Sequence, residues 1–285
     1  MLANQVRLAP PPRRVGLSLR ILNGVGHPAL WAVFGFTTIF FWTFVANADL
    51  SFITFRGPFR LVAAKVIAVE ETGASESDTP VMATRYEYSV GGEWFRGVSY
   101  SLREGGVVGQ NVVVQYLESD PASSRIDGMR RRMFGPAVMV ITLFPAVAGF
   151  FLAWSIRKGR RRRHLLEHGL VAMGKLTDKR ATRVRVNRQT VWELTFEFTG
   201  RDGRKHETRA RTHQTMRLED ERQEPVLYDP ADPSIAFVLD EMPSRPKVDL
   251  AGELEGRPLA AALSLILPAL VIVGNLAALM NRIGD

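Results

Sequence analysis

Cysteine is missing from all 285 residues, which excludes disulfides, thiolate nucleophiles and cysteine-based metal sites and leaves no mark of a redox compartment. Histidine is scarce, with five in the chain, and His27, His206 and His213 are scattered along it. No nucleophile elbow or dinucleotide fingerprint occurs. The run Gly105-Gly106-Val107-Val108-Gly109 lacks the Lys-Ser/Thr of a P-loop and reads as a hairpin connection. The paired carboxylates Glu70-Glu71 and Glu219-Asp220-Glu221 read as solvated loop charges rather than an acid/base couple. The most telling scarcity is of charge. Residues 29–48, 134–156 and 258–280 contain no Asp, Glu, Lys, Arg or His.

Each of those runs is long enough to cross about 30 Å of hydrocarbon as a helix, for which roughly 20 apolar residues suffice. The sequence therefore predicts three transmembrane helices. Without ionisable groups inside them, a proton relay or ion path lacks its usual machinery. Pro145 falls mid-run and predicts a kink, Trp154 marks an interface, and Asn275 is the one strongly polar group of the third run. Residues 1–28, with Pro10-Pro11-Pro12, Arg13, Arg14 and Arg20, read as a basic leader that forms a mobile or surface-lying arm. Ala46-Asn47-Ala48 has the look of a signal-peptidase site, so a cleaved signal competes with a retained first span; the long leader and long apolar run favour retention.

The net charge of +8 is partitioned. Residues 1–48 carry 4 basic and no acidic groups, 49–133 carry 10 and 11, and 155–257 carry 22 and 17. The densest cluster follows the middle run: Arg157, Lys158, Arg160, Arg161, Arg162 and Arg163. Beside a span, such a string predicts contact with anionic headgroups and a cytoplasmic location for the leader and the second soluble stretch. Arg130, Arg131 and Arg132, at the other end of the same run, weigh against that orientation. No aromatic residue interleaves with the bases between Arg157 and His168, so nucleic acid is not expected as a partner. No cofactor is implied.

Between the runs the periodicity changes to two. Tyr86, Tyr88 and Val90 alternate with Arg85, Glu87 and Ser89 before Gly91-Gly92. Trp192, Leu194, Phe196 and Phe198 alternate with Glu193, Thr195 and Glu197 before Arg201-Asp202-Gly203. Strands are predicted at 61–69, 85–90, 94–100 and 111–117, and again at 169–176, 191–199, 204–211, 225–228 and 235–239. Superposing Tyr116 on Tyr228 puts Val114 on Val226, Asp120 on Asp232 and Pro121 on Pro233, the mark of an internal duplication. The second copy closes on Val226-Leu227-Tyr228-Asp229-Pro230-Ala231-Asp232-Pro233-Ser234, a strand that ends in two Asx-Pro turns. On these residues the chain resembles a bacterial family of membrane-linked β-domains, domain of unknown function 3592. The closing strand, the aromatic-alternating hairpin and the strand leaving a membrane helix carry the resemblance. Residues 165–240 fit its pattern, whereas the first copy has Leu117 and Glu118 in place of Asp-Pro. The resemblance implies no activity and no catalytic residue.

The expected class is an α+β membrane protein with two small antiparallel β-barrel or sandwich domains, 59–128 and 169–240, set between three spans. A scaffold or partner-binding role in a bacterial inner membrane follows, without catalysis. The rival is a zinc hydrolase: His164-Leu165-Leu166-Glu167-His168 matches H-x-x-E-H, in which two histidines one turn apart bind the metal and the glutamate acts as base. The neighbouring arginines and a strand expected at Gly169 favour an exposed interfacial turn instead.

Overall fold

The two stretches of alternating sequence fold into antiparallel sheets with one strand order. In the computed structural model, which describes residues 8–218, 222–242, 244, 246–249 and 251–284, the helices are α1 (Leu17–Gly24), α2 (Pro28–Phe44), α3 (Ser51–Thr54), α4 (Leu143–His168) and α5 (Pro258–Gly284). The first sheet comprises β1 (Phe59–Glu76), β2 (Thr79–Val90), β3 (Glu93–Leu102), β4 (Asn111–Leu117) and β5 (Asp120–Ile126), in the order β3-β2-β1-β4-β5. The second comprises β6 (Leu170–Val186), β7 (Gln189–Thr199), β8 (Lys205–Thr212), β9 (Glu224–Tyr228) and β10 (Ala236–Val238), in the order β10-β9-β6-β7-β8. Read from the opposite edge, that is the same arrangement. Two short strands, β11 (Lys247–Val248) and β12 (Leu254–Glu255), pair separately. The chain divides into two compact units, Gly35–Val147 and Met1–Phe34 with Ala148–Asp285.

The matching extends to irregularities. Register shifts fall between Val66 and Ala68 and between Glu71 and Ser75 in β1, and between Leu176 and Asp178 and between Ala181 and Arg185 in β6. At the second shift a threonine hydroxyl locks the ribbon. Thr72 Oγ1 donates to Val81 O (2.8 Å) and accepts from Ala74 N (3.3 Å), and Thr182 Oγ1 donates to Val191 O (2.7 Å) and accepts from Val184 N (3.2 Å). Both hairpins close on two left-handed residues, Ser77-Asp78 and Asn187-Arg188, the backbone that matches strand twist. These bulges explain why β1 and β6 run well past the strands expected at 61–69 and 169–176: extra residues break the period of two that marks a strand.

Inward faces form the cores. Tyr86 and Tyr88 are fully buried in the first unit with Val114, Tyr116 and Ile126. Leu194, Phe196 and Phe198 are buried in the second with Val226 and Tyr228. Edge strands approach each other in each unit, through Ile126 N donating to Ser99 Oγ (2.8 Å) and Thr208 Oγ1 donating to Ala236 O (2.9 Å). Asp120 and Pro121 open a fifth strand rather than ending the domain, at an edge where proline removes no ladder bond.

Among the described residues, three helical segments are long and apolar enough to cross a membrane: Pro28–Asn47, Pro136–His168 and Pro258–Arg282. Pro145 produces no mid-helix kink. A 3-10 turn occupies Pro136–Thr142 and α4 begins at Leu143, so Pro145 stands in its first turn, where no intrahelical N–H bond is lost. Pro268 does lie inside α5. Asn275 Nδ2 donates to Val271 O of its own helix (2.8 Å).

The leader corrects a second expectation. Residues 8–24 are no mobile arm but part of the unit that holds the second sheet. Val15 bridges Leu254, Gly16 N donates to Leu254 O (2.8 Å), and Val15 and Leu19 are buried among Leu165, Leu166, Leu227, Phe237 and Leu254. Although its composition is too polar to fold alone, a surface elsewhere in the chain supplies the apolar partners it lacks.

Candidate functional site

Helix α4 does not stop where its apolar stretch does. Rather than forming an exposed turn, residues 157–168 continue the helix to its last residue, so the basic string is displayed on a rigid rod. At 3.6 residues per turn, Ala148, Leu152, Ser155, Gly159 and Leu166 fall on one side. This side packs: Ser155 Oγ accepts from His27 N (3.1 Å), and a Cβ on Gly159 would sit 1.8 Å from the carbonyl oxygen of Asn23. Only glycine allows the end of α1 so near.

Helical geometry then divides the six basic residues. Arg162 and Arg163 are half-buried against the protein, whereas Lys158 is exposed but close enough to act on Glu241. Arg163 Nε bonds Glu167 Oε1 at 3.1 Å, and Arg20 Nε reaches the same oxygen at 3.5 Å. Lys158 and Arg162 act electrostatically on Glu241, whose carboxylate accepts from Arg211 N (3.4 Å); burial raises its pKa above the ordinary carboxylate value, and the two cations partly offset this. Lys158 Nζ also lies 5.9 Å from the ring centroid of Trp154. The remaining three, Arg157, Arg160 and Arg161, are exposed and make no ion pair among the described residues. They share the outward face with Phe150 (66% exposed) and Trp154 (57%) below and His164 and His168 above.

Arg13 holds the far end of this helix. Its guanidinium donates to Gly169 O (2.7 Å) and Leu166 O (3.3 Å), its Nε to Ala9 O (2.8 Å), and its backbone N to Glu167 O (2.9 Å). A cation here satisfies the orphan carbonyls at the negative end of the helix dipole. Burial lowers the Arg13 pKa from its ordinary value.

The H-x-x-E-H residues are brought together only in part. His164 and His168 are exposed, with rings stacked 4.7 Å apart. Glu167 faces away, held by Arg20 and Arg163, and among the described residues no group of three or more His, Cys, Asp and Glu is placed to hold a metal.

The closing strand supplies structure in both units. Val226 and Tyr228 are buried, Tyr228 Oη accepts from Arg201 N (3.0 Å), and its ring lies 5.3 Å from Phe198. Asp229 Oδ1 accepts from Ala231 N (2.9 Å) and Asp232 Oδ1 from Ser234 N (3.1 Å), which sets the two turns at Pro230 and Pro233. In the first unit Tyr116 stacks 6.2 Å from Tyr88, whose hydroxyl donates to Pro121 O beside Asp120. Glu70 pairs with Arg85, whereas Glu219-Asp220-Glu221 lies outside the described residues. Arg130 pairs with Glu76, and Arg131 stands 5.0 Å over the Phe55 ring.

Sequence reasoning missed Arg13, Glu241 and Gly159, whose roles depend on partners remote in the chain. No protein family, curated protein or solved structure compared with the chain matches it.

Proposed function

We propose that this is a multi-pass, non-enzymatic membrane protein whose three apolar helices cross the bilayer of a bacterial inner membrane and whose β-units serve as scaffold or partner-binding modules beside it. One observation carries the reading. Only 11%, 17% and 6% of the most apolar windows of the three segments is buried, leaving Phe36, Phe144, Phe150, Leu270 and Met280 more than half exposed. Apolar surface on that scale needs lipid around it, since soluble monomers rarely expose more than a few hundred Å² in one patch. The shared strand order and bulges support reading the units as copies of one duplicated module, and the closing strand supports its kinship with domain of unknown function 3592.

The packed leader bears on topology. Cleavage after Ala48 would remove Arg13 and Leu19 from the unit they complete, which favours a retained first span. Leader and second sheet belong to one side and, with 4 and 22 basic residues, to the cytoplasm; a single crossing puts the first sheet, with 10 basic and 11 acidic residues in its stretch, outside. Arg157, Arg160 and Arg161, just past Trp154, are placed to meet anionic headgroups. Reporter fusions after residues 120, 240 and 285 test this: periplasmic phosphatase activity is expected at 120 and 285 and cytoplasmic fluorescence at 240. Reporters at 120 and 240 on the same side would overturn it.

A further inference from the structure

The β6–β7 hairpin carries a charge pattern that its fold does not require. Residues 179–190 include Lys179, Arg180, Arg183, Arg185 and Arg188 and no acid; the matching residues 69–80 include Glu70, Glu71, Glu76 and Asp78 and no base. Register shifts, threonine lock and left-handed turn are common to both hairpins. Folding therefore leaves the sign of charge open. Lys179 is placed over the Trp192 ring at 5.0 Å and Arg180 pairs with Asp178, while Arg183, Arg185 and Arg188 are exposed at the tip. Val184 (58% exposed) and Val186 (39%) alternate with two of those arginines and so take the other face.

The register says where the tip points. β6 starts at Leu170, two residues past the end of α4, and by Arg180 it shares a rung with Glu193 and Arg211. The amide of Arg211 bonds Glu241, which lies within electrostatic reach of Lys158 and Arg162, both less than two turns past Ile156. A strand heading onward from α4 would carry Arg180 about 30 Å beyond the helix end. Instead the Arg180 rung is tied, through Arg211 and Glu241, to the basic stretch of α4. The first unit offers a parallel: Glu76 pairs with Arg130, and a Cβ on Gly135, next to Pro136 where the second apolar segment starts, would lie 3.1 Å from Glu76 Oε1.

Resting on the bilayer reading, we infer that the tip of this hairpin, residues 183–188, lies on the anionic leaflet from which α4 emerges, as a second headgroup contact beside Arg157, Arg160 and Arg161. The arginines meet lipid phosphates and the two valines dip into the interface, the combination that holds peripheral elements on charged membranes.

The absence of cysteine makes single-cysteine probes unambiguous. The full chain carrying Val184→Cys, labelled with an environment-sensitive fluorophore, is placed in phosphatidylcholine nanodiscs with or without phosphatidylglycerol. The expected result is a blue shift and quenching by headgroup-region doxyl lipid in the anionic discs, lost in neutral discs, in high salt and in the R183Q/R185Q/R188Q variant. Ala74→Cys, the matching site on the acidic hairpin, should not respond to phosphatidylglycerol. A Val184 probe as open to aqueous iodide in anionic discs as in detergent overturns the inference. So does a shift produced by single-stranded RNA and not by phosphatidylglycerol, which would assign the ribbon to nucleic acid. Leu270→Cys on α5 separates the two levels: doxyl-acyl quenching there with an aqueous Val184 probe removes only the ribbon contact, and no quenching at 270 removes the bilayer reading as well.

Discussion

Gly97 shows how one missing side chain can hold a core in place. A Cβ there would come 2.4 Å from the phenol of Tyr86, a fully buried ring whose hydroxyl is 3.0 Å from Ser124 Oγ. Gly97→Ala should cost about 1–3 kcal/mol through overpacking, read as a lower melting temperature in detergent. Arg13→Gln should cost about 1.5–3 kcal/mol, because charge-assisted bonds to carbonyls at the end of α4 are lost, and the leader should become an early site of limited proteolysis. Glu241 makes a pH prediction. Burial raises its folded pKa above the unfolded one, so the protonated form is favoured on folding. Its contribution is fully present below the ordinary carboxylate pKa and is lost as pH rises through the raised value. Glu241→Gln should therefore be more stable than the parent chain near neutral pH, and that advantage should vanish in acid; an advantage independent of pH would contradict the assignment.

Among the elements, α4 does two jobs with two faces. Neutralising Arg157, Arg160 and Arg161 together should weaken anionic-lipid enrichment around the reconstituted protein while leaving its melting temperature nearly unchanged. Neutralising the half-buried Arg162 and Arg163 should do the reverse, since Arg163 bonds Glu167 and Arg162 acts on Glu241. Equal effects from the two sets would refute the division. The long hairpins depend on their threonines: Thr72→Val and Thr182→Val should each cost about 1 kcal/mol by leaving the bulge backbone without its bond. Much of this level was legible in the sequence. Uninterrupted apolar runs marked the three helices, and alternation from Tyr86 to Val90 and Trp192 to Phe198 marked the central hairpins. Bulged strand ends were not legible, because Thr72–Ala74 and Thr182–Val184 break the period that reveals a strand. Nor was the helix through Arg163, since a run of arginines signals exposure and says nothing of backbone.

At the scale of the whole molecule, two sheets of one topology accompany helices whose apolar residues are mostly exposed. The candidate site was visible as a string of six bases, but not as exposed ones beside half-buried ones. That split depends on Glu241 and Arg20, which folding alone brings to α4. The matching hairpins share one fold and carry charge of opposite sign. All of this requires that α2, α4 and α5 stand in lipid. Extraction of expressing-cell membranes at alkaline pH in sodium carbonate, followed by ultracentrifugation, tests that requirement most directly. The intact chain should stay in the membrane pellet and leave it only with detergent. A folded, monomeric chain in the carbonate supernatant would contradict the account.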